Sequence, residues 1–284
     1  MGAVRVVAGA RMIKVLSLGA GVQSSTVLRL AIHGEIERPD HVIFADTGWE
    51  PRAVYKHLAR LEIEMNTADI PFFKVSVGDI KADALRATVR GTKKNGQRHA
   101  NMPYYTRQAN GDLGMIRRQC TREYKVDPIS KKVRELCNVG RKSKTNHIPK
   151  VEQWFGISTD ELRRCTLSRF WWAVNYYPLI DLHMTRDDCL SWMNRHGYPR
   201  PPRSACVACP YKADIEWRLL RDESPDEWEE ACVFDEAIRH RGGMRGDIYV
   251  HRTATPLREV DLSTPEDHGQ ARLWDDECAG MCGL

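Results

Sequence analysis

One stretch near the start does most to fix the fold. Residues 13–18 form a short, mostly apolar run rich in β-formers, and it ends at Gly19-Ala20-Gly21. Apolar residues at helical spacing follow over residues 24–33, at Val27, Leu30 and Ala31. The order strand, glycine turn, helix is the opening of a βαβ unit. The pattern then repeats. Residues 41–45 (HVIFA) read as a buried strand that ends in Asp46-Thr47-Gly48, and Pro51 opens a helix to about residue 65. Residues 72–77 read as a third strand and 80–89 as its helix, with further strands expected at 151–157 and 177–182. Strands alternating with helices imply an α/β fold, an open, mostly parallel sheet flanked by helices.

Other segments break the rhythm. Residues 91–114 are polar and basic with little periodicity, and residues 140–146 (GRKSKTN) are a basic connector; both are expected as surface loops. Thr185 with Asp188 makes a capping box for a helix through Asn194, and residues 226–239 read as another helix. After Gly242 the chain reads as irregular. The expected organisation is a tail at 1–11, a nucleotide-binding α/β domain at 12–200, and a cysteine-containing extension at 201–284.

Composition narrows the class. The chain has 284 residues, 42% hydrophobic and 29% charged, enough for a normal core and unlike a disordered chain. No apolar run approaches the roughly 20 residues that a membrane span needs, and the first residues are too weakly charged for a secretory signal. A net charge of +5 suits a nucleotide or a nucleic acid without requiring either. Nine cysteines, an odd count at irregular spacing, argue against a disulfide framework. They suggest metal ligands or redox thiols in a reducing compartment, so a cytoplasmic location is expected.

The glycine turn sits where an open α/β sheet binds ligands, at the carboxyl end of a strand and the start of a helix. Glycines at 19 and 21 let backbone approach a phosphate, and the helix start offers N–H groups and partial positive charge. Ser24, Ser25 and Thr26 add hydroxyl donors. A tight turn with an N-cap would explain one glycine and one serine, and this segment has more. It lacks the Gly-Lys-Ser/Thr ending of a Walker loop.

Gly19-Ala20-Gly21-Val22-Gln23-Ser24 resembles the PP-loop of the adenine nucleotide α-hydrolase-like superfamily, which holds ATP pyrophosphatases and phosphoadenosine-phosphosulfate (PAPS) reductases. Gln23 stands where the pyrophosphatase form has Asp, and the Gly-x-Gln form is closer to the reductases. Asp46-Thr47-Gly48 resembles the Asp-Thr-Gly that lies near the adenosine in that family; the plain alternative for Asp46 is a helix-capping turn. Cys206-Val207-Ala208-Cys209 is a CxxC, a spacing that serves a cluster, an ion or a thiol redox pair. Cys120-Thr121-Arg122-Glu123-Tyr124-Lys125-Val126-Asp127-Pro128 resembles the Cys-Cys-x-x-Arg-Lys-Val-x-Pro motif of cluster-containing adenylylsulfate reductases, with Thr121 replacing the second Cys. It also resembles the Cys-Thr-x-x-x-Lys form in DNA phosphorothioation enzymes. The resemblance runs in patches from about residue 13 to 211, including Pro178-Leu179-Ile180-Asp181.

The resemblance implies a 4Fe-4S cluster on Cys120, Cys206 and Cys209, with Zn²⁺ held by the same cysteines plus a His as the alternative. It implies an adenosine nucleotide (PAPS, adenylylsulfate, or ATP with Mg²⁺) on Ser17, Gly19, Gly21, Gln23, Ser24, Ser25, Asp46, Thr47, Gly48, Arg118, Arg122 and Lys125. The arginines suit bidentate contacts to phosphate or sulfate. The tail around Cys278 and Cys282 resembles the Glu-Cys-Gly ending of the reductases, so Cys278 is the expected nucleophile and Cys282 a resolving thiol; two idle thiols are the plain alternative. Two activities follow. One is PAPS or adenylylsulfate reduction with a thioredoxin-like reductant. The other is ATP-dependent, iron–sulfur-dependent thiolation of DNA or tRNA, with a cysteine desulfurase as sulfur source. Cys137, Cys165, Cys189 and Cys232 read as core, as do Trp171, Trp172, Tyr176 and Tyr177.

Overall fold

The computed structural model describes residues 11–86, 102–140, 149–240, 246–263 and 267. The chain divides into two compact units, each made of several stretches. The first takes Met1–Ala45, Ala53–Val75 and Pro128–Arg203; the second takes Asp46–Arg52, Ser76–Asp127 and Ser204–Leu284. The second unit thus joins the stretch after Arg203 to two earlier ones.

The first unit is built on β1 (Ile13–Leu18), β2 (His41–Asp46), β3 (Phe72–Ser76), β6 (Val151–Phe155) and β7 (Ala173–Tyr176), in the order β3-β2-β1-β6-β7. It is the expected α/β architecture, with β1 parallel to both β2 and β6, and β6 parallel to β7. Strand alternation sets the two faces. Leu16, Leu18, Val42 and Phe44 point to one face and pack with α1 (Val22–Ile32), α2 (Arg52–Thr67) and α6 (Arg186–Arg195). Val15, Ile43 and Val151 point to the other and pack with Val133 and Cys137, at and just beyond α4 (Asp127–Leu136). Fully burying each such side chain contributes about 1.5–3 kcal/mol. The strand order reverses between β1 and β6, and the glycine turn follows β1 at that switch point.

The second unit contains α3 (Ile80–Arg86), a three-stranded sheet, α7 (Asp214–Glu223) and α8 (Pro225–Ile238). Its sheet runs β5-β4-β8, from β5 (Leu113–Met115), β4 (Tyr105–Arg107) and β8 (Asp247–Tyr249), and both pairings are antiparallel. Trp49, Tyr124, Trp217 and Phe234 fill its core.

Three expectations need correction. Residues 177–182 are not a strand: β7 ends at Tyr176, and Pro178, which has no N–H to give a ladder, opens the helical turn α5 (Pro178–Asp181). The described part of 91–114 is not simply loop, because β4 and β5 pair there as a hairpin. The stretch after 242 contributes β8. Most of 140–146 lies outside the described residues. Among the described residues, no helix is long and apolar enough to cross a membrane.

Candidate functional sites

In the first unit, β1 delivers the chain to Gly19, Ala20 takes a left-handed φ of 54°, and Gly21 caps α1 in an extended conformation. The first turn of α1 holds no acidic residue, as an anion site requires. The hydroxyls, however, face inward. Ser17 Oγ accepts from Gln153 Nε2 at 2.9 Å. Ser24 Oγ accepts from the Gly19 N–H at 3.1 Å and closes the turn on itself. Ser25 Oγ pairs with His57 Nε2 at 2.9 Å, and Thr26 Oγ1 donates back to the Val22 carbonyl. Ser25 and Thr26 are fully buried. The loop after β6 backs onto the same turn, and a Cβ on Gly156 would lie 2.4 Å from Ser24 N.

Gln23 is held at both ends of its amide. Nε2 donates to Glu161 Oε2 at 3.0 Å and to Ser158 Oγ at 3.4 Å, while Oε1 accepts from Arg186 Nη1 at 3.0 Å. Its side chain therefore braces the turn against the β6 loop and the start of α6. Sequence reasoning did not single out Ser158, Glu161 or Arg186; only contacts made in the fold reveal them. His57 is driven down to about 4, chiefly by burial and then by the Arg29 guanidinium. It is therefore neutral beside Ser25. Arg29 is itself buried, paired with Glu64 and stacked over Tyr198.

In the second unit, Cys120, Cys206 and Cys209 line one cavity together with Thr47, Thr121, Arg118, Lys125, Ser204 and Tyr211. Three local structures bring them there. The Cys209 N–H bonds to the Cys206 carbonyl at 3.0 Å, which folds the CxxC into a turn. The Val207 N–H bonds to the Trp49 carbonyl at 3.0 Å and ties that turn to the segment after β2. Cys120 begins the helical stretch that becomes α4, through a widened π-type turn at Arg122–Val126. This turn buries Tyr124, whose hydroxyl bonds Asp83 at 2.6 Å, and brings Lys125 to the cavity. Arg122 lies outside the cavity lining, 77% exposed beside Asp127.

Asp46, Thr47 and Gly48 divide their work. Asp46 Oδ1 accepts from the Gly48 N–H at 2.8 Å in a local turn that caps no helix, since α2 begins only at Arg52. Gly48 has a φ of +77°, and a Cβ there would meet Asp79 Cα at 2.9 Å, so only glycine fits. Thr47 Oγ1 lies 3.5 Å from Cys206 Sγ and donates to Glu50 Oε1 at 3.3 Å. Lys125 Nζ lies 3.2 Å from the same Glu50 oxygen. Burial pushes the Cys206 thiol up to about 12, and the Glu50 carboxylate adds to the rise. Burial also raises Cys120, opposed by Arg118 and Lys125.

The other cysteines fall mostly as expected. Cys137, Cys189 and Cys232 are buried, whereas Cys165 is only partly so and is not core. Cys278 and Cys282 lie outside the described residues. Among the described residues no group of three or more His, Cys, Asp or Glu could hold a metal ion. Neither the 4Fe-4S cluster nor the Zn²⁺ alternative is therefore shown by the described residues. What the residues offer a cluster is donor type: a cluster spreads thiolate ligands over several irons, and three cysteines line this one cavity.

No family model matches the sequence, and no curated protein matches it. Among solved structures, the chain is similar to phosphoadenylyl-sulfate (PAPS) reductase from Candida auris, in a phosphate complex. The identity is 11%, the match covers 67% of this chain and 76% of that one, and the TM-score is 0.42. A likeness at this level bears on neither substrate nor reaction.

Proposed function

We propose that the protein is an adenosine-nucleotide-dependent enzyme of sulfur chemistry, of the PAPS or adenylylsulfate reductase type. The observation that carries this reading is the gathering of Cys120, Cys206 and Cys209 with Arg118 and Lys125 around one cavity. The glycine turn before α1 supports it, because its backbone and the acid-free first turn of the helix suit a phosphate group.

In this reading the Cys278 thiolate attacks the sulfur of the activated sulfate. An S–S bond forms, the S–O bond to the nucleotide breaks, and the adenosine phosphate leaves with that electron pair. A dithiol of the thioredoxin class then reduces the S-sulfocysteine; sulfite departs, Cys278 returns as a thiol, and the dithiol becomes a disulfide. In the alternative route the Cys282 thiolate attacks the Cys278 sulfur, sulfite leaves, and the same dithiol then reduces the Cys278–Cys282 disulfide. Arg118 holds anionic oxygens at the cavity, and Lys125 contributes its charge there together with Glu50. Cys120, Cys206 and Cys209 would hold a 4Fe-4S cluster, which would tune the charge of the site beside these cations.

Thr121 favours a second reading, since it lines the cavity where the reductase motif has its second cysteine. That reading is ATP-dependent thiolation of DNA or tRNA, with sulfur delivered by a cysteine desulfurase. The test is a paired assay on anaerobically purified protein. Sulfite release from PAPS or adenylylsulfate with thioredoxin is the expected result. AMP and pyrophosphate formed from ATP only when DNA or RNA is present would replace the reductase reading with the second. Neither product would overturn both.

A further inference from the structure

The cysteine cavity has a polar wall behind Cys206 that none of the motifs describes. Glu50 belongs to no motif, yet its side chain is completely buried, an expensive place for a carboxylate unless it serves its neighbours. It faces Lys125 at 3.2 Å and receives the Thr47 hydroxyl at 3.3 Å through the same oxygen. Thr47 Oγ1 in turn lies 3.5 Å from Cys206 Sγ and accepts from the Trp49 N–H at 3.4 Å.

A threonine hydroxyl has one hydrogen, and here it has two acceptors within reach. When Cys206 is a thiol, its S–H can point to Thr47 Oγ1 while Thr47 points to Glu50. All hydrogens then run one way, from sulfur to carboxylate. When the sulfur is a metal-bound thiolate it has no hydrogen to give, and Thr47 is the donor beside it. The Glu50 oxygen keeps Lys125 as a partner, so the hydroxyl can turn to the sulfur without stranding the carboxylate.

From this arrangement we infer that Glu50 and Thr47 are positioning residues that set the charge and hydrogen bonding felt by an iron–sulfur cluster bound through Cys206. The inference rests on the cluster reading given above. The two residues act in opposite directions. A nearby negative charge favours the more oxidised cluster, whereas a hydrogen bond donated to a ligand sulfur favours the reduced one.

The experiment compares wild type, Glu50→Gln and Thr47→Val after anaerobic reconstitution with iron and sulfide. Iron and acid-labile sulfide are counted, and the midpoint potential is measured by redox titration of the visible spectrum. The expected result is equal loading of all three, a more positive potential in Glu50→Gln, and a more negative one in Thr47→Val. Equal loading with unmoved potentials, or shifts of the same sign, overturns the inference and leaves the cluster reading intact. Wild type that takes up no iron and sulfide overturns the cluster reading, and the inference falls with it. If Glu50→Gln does not fold, Thr47→Val decides alone, because it keeps the shape of the side chain and removes only the hydroxyl.

Discussion

The two units treat their reactive side chains differently. In the first, the serine and threonine hydroxyls of the glycine turn are turned inward and bonded to the protein. In the second, the cysteines keep their side chains on a cavity wall, among cations and a buried carboxylate. Burial nevertheless acts on both by one rule, favouring the neutral form. It lowers the imidazole of His57 in the first unit and raises the thiols of Cys120 and Cys206 in the second. A motif residue can thus spend its side chain on the protein itself.

The sharpest way to break this contrast is to push on the glycine that closes each place. At Gly156 a Cβ would lie 2.4 Å from Ser24 N, and backbone cannot swing aside as a side chain can. Gly156→Ala should cost about 3 kcal/mol, the upper end of ordinary overpacking, measured by urea unfolding. Gly48→Ala in the second unit should cost about 1–2 kcal/mol from its left-handed backbone, on top of the crowding against Asp79 Cα at 2.9 Å. A Gly156→Ala protein as stable as wild type would mean that the β6 loop does not seal the turn.

Acid tests the neutral imidazole. His57 has an ordinary value of 6.5 when unfolded and about 4 when folded, so below pH 6.5 the unfolded chain binds more protons. Its contribution is complete above pH 6.5 and disappears as pH falls through 4, up to about 3 kcal/mol in all. His57→Gln should flatten the stability profile between pH 6.5 and 4. An unchanged slope would place the acid sensitivity elsewhere. The smallest effect is expected at Thr185, whose hydroxyl accepts from the Asp188 N–H at 3.1 Å in the capping box of α6. Thr185→Ala should cost about 1 kcal/mol in thermal or urea unfolding, with little change around the cysteine cavity.

The sequence made the first unit largely legible, because alternating strands and helices carry strong local periods. Residues 13–18 and 41–45 read as buried strands, and Thr185 with Asp188 marked the start of α6 without reference to the rest of the chain. Residues 177–182 misled because apolar content suggested strand where Pro178 begins a helical turn. The hairpin at β4 and β5 was invisible because three-residue strands have no periodicity to detect. The candidate sites were legible only as lists of residue types. Cys120 and the CxxC showed their chemistry but not their surroundings. Glu50, Ser158, Glu161 and Arg186 gave no local signal, since each matters through contacts with residues distant in the chain.

The second unit's three stretches bear on how the chain emerges from the ribosome. Cys120 leaves the tunnel about ninety residues before Cys206, an interval of roughly 4–17 s at synthesis rates of ~5–20 residues per second. During that interval its sulfur has no CxxC beside it, and the wall formed by Ser204 to Tyr211 does not yet exist. Anything that charges this cavity therefore has to arrive late, once the nascent chain has grown past residue 211, or to shield a solitary thiol until then.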